Sequence, residues 1–227
     1  MRPFSLELNV NEYAEGSVII KMGKTHVLCT ASVEENVPKW MANTGKGWVS
    51  AEYSMLPRAN RQRKPRDIGK GQDGRSVEIQ RLIGRSLRSA IDMHALGERM
   101  IWVDCDVLQA DGGTRCASIT GGMVALAMAI NKVKQLGLIT KDPIREFVAA
   151  VSVVKFNDEF VIDPNYEQDS GSDVDMNVVM TESGNFVEIQ GTAEGEVFSR
   201  ADNDKILDLA SASIREIIKL QRGALHG

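Results

Sequence analysis

Three groups of side chains in this sequence have the types and spacing to do chemistry. The first is acidic: Asp169, Asp173 and Asp175 stand close together, and Asp173 and Asp175 share a face if a strand has begun there. Clustered carboxylates suit Mg²⁺, which keeps several waters and takes one or two protein oxygens beside substrate phosphates. They also suit a general acid with a raised pKa. A solvated acidic loop is the commoner fate of such a run. Asp175 argues against that fate, because it opens the apolar run 176–180, where a carboxylate is partly buried. The second and third groups are cationic. Arg75 stands at the start of one predicted helix, and Thr114-Arg115 open another after the turn Asp111-Gly112-Gly113. A helix start offers unsatisfied N–H groups and a positive dipole end. A cation alone is mildly unfavourable there, so both arginines call for an anion, and two such starts converging would make a phosphate site. A Gly-Gly turn alone is a weak signal, and the Gly-Lys-Ser/Thr ending of a nucleotide P-loop is missing. His26, His94 and His226 have no nucleophile-like Ser or Cys nearby, which argues against triads and His-based metal sites.

The elements that must position these groups are legible in outline. Residues 101–108 predict a strand with Ile101, Val103, Cys105 and Val107 on one face and Trp102, Asp104, Asp106 and Leu108 on the other. Asp104 and Asp106 are expected to hold nearby arginines or hydroxyls rather than to react. Residues 114–136 predict a buried helix, apolar nearly all round at 123–130, with Gly137 as its C-terminal stop. Residues 17–22 and 25–33 predict a hairpin about Gly23-Lys24, and 47–56 a further strand ended by Pro57. Residues 76–94 predict a helix with Ile79, Ile83, Leu87, Ala90 and Ile91 as its apolar stripe, capped by Asp73 or Ser76. Residues 147–154 predict a central strand covered on both faces, 163–175 an acidic loop, and 174–180 with 185–191 a hairpin about Ser183-Gly184. The last helix is predicted over 200–221, with Ser199 and Asp202 as a capping box. Strands come first in a block and helices then interleave with further strands, which predicts an α+β sandwich of helices on a mixed sheet. No linker or repeat divides residues 1–227, so a single domain is expected.

Composition narrows the partners. The 227 residues are 43% hydrophobic and 26% charged, and no run approaches the roughly 20 uninterrupted apolar residues of a membrane span. Cys29, Cys105 and Cys116 have no metal-ligand spacing, and their odd number suits buried free thiols in a reducing, cytoplasmic setting. A net charge of −4 excludes nucleic-acid binding by bulk positive charge. The local exception is the segment 58–74, which carries Arg58, Arg61, Arg63, Lys64 and Arg66 with only Asp67 and Asp73 against them. A basic loop of this length in an acidic chain points to a nucleic-acid contact rather than an idle solvated loop.

The blocks YAEGSVII, VLCTASVEENVP, GWVSAEYSMLPR, EIQRLIGRSLR, VDCDVLQADGGTRCASITG, FVAAVSV, VDMNVVMTESG and EIQGTAEG, in this order, closely resemble bacterial ribonuclease PH, a family of phosphate-dependent 3′ exoribonucleases. The resemblance implies the α+β fold of ribosomal protein S5 domain 2, and a homohexamer built as a trimer of dimers. It implies phosphorolytic trimming of tRNA precursor 3′ ends, reversible nucleotidyl transfer and a part in rRNA processing. It places the phosphate site on Arg75, Gly113, Thr114 and Arg115, and the catalytic and Mg²⁺ (or Mn²⁺) positions on Asp169 and Asp175, with inorganic phosphate as co-substrate. It places tRNA contacts on Arg58, Arg61, Arg63 and Arg66. Two departures are visible. The Arg-x-Asp-Gly-Arg block expected before Arg2-Pro3 is missing, so an internal or truncated start is expected. The glycine loop reads Gly71-Gln72-Asp73-Gly74, and Asp73 is expected to weaken an anion site slightly.

Overall fold

The computed structural model describes residues 1–66, 71 and 73–226. Asp67 and part of the glycine loop, Gln72 included, lie outside the described residues. The elements run β1 (Phe4–Leu8), β2 (Gly16–Met22), β3 (Thr25–Glu34), β4 (Trp48–Met55), α1 (Gly74–Ser89), α2 (Met93–Leu96), β5 (Met100–Gln109) and α3 (Thr114–Gln135). There follow β6 (Val148–Phe156), β7 (Glu159–Ile162), α4 (Tyr166–Ser170), β8 (Val174–Thr181), β9 (Phe186–Ala193) and α5 (Arg200–His226). Two sheets result, a five-stranded one in the order β1-β2-β3-β5-β4 and a four-stranded one in the order β7-β6-β8-β9. The first is mixed, since β4 runs parallel to β5 while the other pairs are antiparallel. The expected α+β class holds.

The organising element is α3. One side packs on β2, β3 and β5, and it also packs on β6 of the other sheet. Its residues from Cys116 to Ala127 are buried without interruption. Close approach requires a missing side chain at Gly121, where a Cβ would stand 2.7 Å from Ile20 and 2.8 Å from the Cys29 thiol. By length and composition alone α3 would pass for a membrane span, a point the sequence reading missed. Its apolar surface is instead taken up inside the protein. α5 packs on β6 and β8 and buries Ile206, Ala210, Ile214, Ile217 and Ile218 as its periodicity predicts. Ser199 and Asp202 exchange hydrogen bonds at its start, as expected of the box.

Several boundaries differ from the sequence reading, each for a tertiary reason. The helix predicted over 76–94 ends at Ser89, and Ala90 and Ile91 are buried outside it. The chain there pairs with 143–145: Arg145 N–H donates to Ala90 C=O at 2.8 Å and Asp92 N–H to Pro143 C=O at 2.7 Å. Asp92 then caps a new turn, α2, by accepting from the His94 and Ala95 N–H groups. The acidic loop 163–175 contains α4, started by a full capping box between Asn165 and Gln168. Two short strands went unread. β1 alternates Phe4, Leu6 and Leu8 inward with Ser5 and Glu7 outward, and β7 closes a hairpin on β6 through Asn157-Asp158, both at positive φ.

Candidate functional site

β5 delivers the chain to a tight turn at Gly112 (φ +77°) and Gly113 (φ +64°), and α3 begins immediately after. Both glycines are required by backbone sign, and at Gly112 a Cβ would meet the Pro164 carbonyl at 2.5 Å. Thr25 pins the turn from below: its hydroxyl donates to Gly112 C=O at 2.6 Å and accepts from Asp111 N–H at 2.9 Å. No side chain caps α3, so the first N–H groups of the helix stay without a partner among the described residues.

The turn is locked from the side by Arg2, which the sequence reading did not single out. Its guanidinium donates to the Asp111 carbonyl and to Asp163 Oδ1 at 2.6 Å, while its N–H donates to Asp163 Oδ2 at 3.1 Å. Asp163 is 2% exposed, so this pair is effectively buried. Removing one partner of a buried pair leaves an uncompensated charge, at a cost of about 3–5 kcal/mol. Arg2→Met is therefore expected to lose stability on that order in urea unfolding. It should also loosen the Gly112-Gly113 turn and weaken phosphate binding, read by titration of the folded variant.

A cavity of roughly 380 Å³ opens at this turn. Its lining brings together Arg75, Gly113, Thr114, Arg115, Asp169 and Asp175, all six residues predicted for the phosphate and acid positions. Arg75 is exposed and stands second in α1, whose cap is Asp73 rather than Ser76. Asp73 accepts from Ser76 N–H at 2.7 Å and from Lys64 Nζ at 2.6 Å, and these two partners, Lys64 first, hold its carboxyl down at about 2. Its charge is thus compensated locally, and the expected weakening of the anion site is offset. Arg115 is largely buried, its Nη1 donating to Glu78 at 3.2 Å and to Gln190 at 2.5 Å. Thr114 Oγ1 lies 2.9 Å from the hydroxyl of buried Tyr53.

The two acids sit on different elements. Asp169 is the fourth of the five residues of α4 and Asp175 is the second residue of β8. Asp175 accepts from Ser152 Oγ at 2.9 Å and from Asn177 Nδ2 at 3.3 Å. Burial pushes the Asp169 carboxyl above its ordinary value, and the charge of Asp175 adds to this against Arg75, Arg115 and Arg2. Ser152, Asn177 and Gln190 are register partners across β6, β8 and β9, so one polar row of the sheet supports both the acid and the arginine. The sequence reading missed this row. Asn177 was findable by the two-residue period from Asp175, and Ser152 as the lone hydroxyl in an apolar strand.

The basic loop is divided by the structure. Arg61 and Arg63 line a second cavity of roughly 540 Å³, which shares Asn60, Lys64, Ala110 and Tyr166 with the first. Arg61 pairs with Glu167 at 3.2 Å on the surface. Arg58 and Arg66 line neither cavity: Arg58 folds back on the Arg61 carbonyl, and Arg66 lies near enough to Asp106 to counter the rise of its pKa. Asp104 and Asp106 sit half-buried on the sheet face away from α3, with burial first and neighbouring Glu52 next among the causes that raise Asp104. Neither makes a hydrogen bond or ion pair with the described residues, and of the support expected of them only the electrostatic pull between Asp106 and Arg66 is seen.

Among the described residues no group of three or more His, Cys, Asp or Glu forms a metal cage. The three cysteines are free and buried, and burial pushes the Cys116 thiol up.

Residues 1–130 match the ribonuclease PH model described as 3′ exoribonuclease family, domain 1, and residues 146–213 match domain 2 of the same family. Among solved structures, the Archaeoglobus fulgidus exosome with RNA bound to the active site superimposes with a TM-score of 0.81 at 23% identity, over 95% of this chain and 87% of that one. Rice (Oryza sativa) Rrp46 gives 0.81 at 19% identity, over 100% and 96% of the two chains. An archaeal exosome core gives 0.77 at 21%, over 97% and 87%. At these identities the structures establish a shared fold, and the two family models, which together take in most of the sequence, establish that the chain belongs to the 3′ exoribonuclease family of ribonuclease PH.

Proposed function

We propose that this chain is a ribonuclease PH of the bacterial type, a phosphate-dependent 3′-to-5′ exoribonuclease that trims tRNA precursors and also serves rRNA processing. The observation that carries this is the single cavity holding Arg75, Thr114 and Arg115 opposite Asp169 and Asp175. In the reaction, an oxygen of inorganic phosphate forms a bond to the terminal phosphorus of the RNA. The bond from that phosphorus to the preceding ribose 3′-oxygen breaks, the 3′-oxygen takes a proton, and a nucleoside 5′-diphosphate leaves. The chief obstacle is repulsion between two anions. Two guanidinium groups and the uncapped start of α3 offset it by holding the attacking phosphate in place. Asp169, with its raised pKa, is suited to carry the proton to the leaving oxygen.

A hard divalent cation, Mg²⁺ or Mn²⁺, fits the same cavity. Asp169 and Asp175 line it together and the charge of one raises the pKa of the other, a repulsion a cation would relieve. Two carboxylates with waters and substrate phosphate oxygens make a normal Mg²⁺ shell. When bound, the cation would supply further neutralisation of charge on the phosphates.

Two of the structures it resembles are exosome cores, which supports RNA binding and oligomerisation for this chain, and we place it as a homohexamer acting in the cytoplasm. The test of activity is digestion of a tRNA with an extended 3′ end, with and without inorganic phosphate. Nucleoside diphosphates released only with phosphate are expected; monophosphates without it would indicate hydrolysis, and no release in either would indicate a non-catalytic ring subunit. RNA affinity should rest on the basic loop and fall steeply with salt. Replacing Arg61, Arg63 and Arg66 together by Ala is expected to weaken tRNA binding by roughly tenfold or more at moderate salt, on counterion-release grounds. Phosphorolysis of a short oligonucleotide should change little, and equal loss on both substrates would contradict this division.

A further inference from the structure

The phosphate-site arginine carries two partners whose role the reaction above does not use. Arg115 Nη1 donates to Glu78 Oε1 at 3.2 Å and to Gln190 Oε1 at 2.5 Å, and Gln190 Nε2 donates to the same Glu78 oxygen at 3.0 Å. The three side chains form a closed triangle from three elements, α1, α3 and β9. Both contacts use one nitrogen of the guanidinium. Nη2 and Nε make no hydrogen bond with the described residues, so the triangle holds one corner of the fork and leaves two donor nitrogens for an anion.

Glu78 stands one helical turn after Arg75 on α1. It therefore links the two cationic halves of the cradle, standing on the helix that carries Arg75 and accepting from Arg115. A carboxylate on Arg115 does two opposing things: it fixes the guanidinium, and it cancels part of the charge an incoming phosphate would meet. Gln190 does the first without the second. Its neutral amide also ties Glu78, through the polar row Ser152–Asn177–Gln190, to the strand that carries Asp175.

We infer that Glu78 and Gln190 are positioning residues that set the affinity of the site for the attacking phosphate, Gln190 by orienting Arg115 and Glu78 by acting as its resident counter-ion. Phosphate then binds by sharing Arg115 with Glu78 rather than by meeting an unpaired cation. This keeps the site from holding anions too tightly to turn over. The inference rests on the reading of Arg115 as a phosphate ligand.

The test is calorimetric titration of the full-length chain with inorganic phosphate, together with the KM for phosphate in oligonucleotide phosphorolysis. Glu78→Gln removes the charge and keeps an acceptor, so phosphate should bind roughly two- to fivefold more tightly, the scale of a partly exposed ion pair. Gln190→Ala should bind phosphate more weakly by a similar factor. Both effects should fall on KM for phosphate more than on kcat, and Glu78→Asp, which keeps the charge, should return towards wild type. A Glu78→Gln variant with unchanged melting temperature that binds phosphate no more tightly than wild type overturns the counter-ion role. Arg115→Ala separates the two levels. If it leaves phosphate binding intact, the phosphate-site reading falls. If it abolishes binding while the Glu78 and Gln190 variants have no effect, only the positioning inference falls.

Discussion

Arg115→Ala and Arg75→Ala should each lower phosphate-dependent release of nucleoside diphosphates by roughly 10²–10³-fold, the scale of losing one preorganised donor to developing charge. The expectation is stronger for Arg115. Its guanidinium is largely buried and fixed on Glu78 and Gln190, so it meets the anion with little reorganisation. Arg75 is exposed and has no ion-pair partner among the described residues, so more of its contribution is long-range and should fade as salt rises. The two losses should not add if both guanidiniums grip one phosphate, because residues sharing a ligand are coupled. Assays at saturating and limiting phosphate decide the matter. Variants that lose only RNA affinity, with unchanged dependence on phosphate concentration, would remove these arginines from the phosphate site.

Asp175→Asn should cost on the order of 10²–10⁴ in turnover, the range typical of a removed acid–base or charge-holding group. The variant keeps an acceptor oxygen for Ser152 Oγ and gives up the one that Asn177 Nδ2 reaches, a local loss that should leave the fold intact. It should also act on its neighbour. The charge of Asp175 is one cause of the raised Asp169 pKa, after burial. Neutralising it lets Asp169 ionise at lower pH and should move the alkaline side of any residual pH–rate profile downward.

Asp169 itself gives a stability signature of definite sign. Its folded pKa lies above the unfolded value, so the folded state binds more protons and stability falls as pH rises through that window. Above the folded value the penalty is fully present. Asp169→Asn should therefore melt above wild type at pH 7 while losing activity. The gap should close as pH is lowered below the ordinary carboxylate value of about 3.9. A variant that melts lower at pH 7 and keeps the gap in acid would show that Asp169 is structural.

Much of this was readable from residue order. The alternation at 101–108, the apolar helix after Gly113, and the stripe Ile206, Ala210, Ile214 and Ile217/Ile218 are local patterns, and local patterns survive folding when one face is buried. The site residues were legible too, because a glycine turn before a helix and a carboxylate entering an apolar strand are unusual on local grounds. Tertiary structure decided everything that depends on residues far apart in sequence. The stop of α1 at Ser89 is set by backbone pairing with 143–145, which no periodicity in 76–94 encodes. Arg2 matters only because Asp163 and Asp111 are brought to it from more than a hundred residues away. Asp104 and Asp106 stay out of the cavity because strand pairing turns them to the other face of the sheet, while Asp169 and Asp175 line it. The sequence by itself determined which groups could hold a phosphate and a proton. Only the packing of both sheets about α3 decided which of them meet, since the distance between charges sets their chemistry and composition does not.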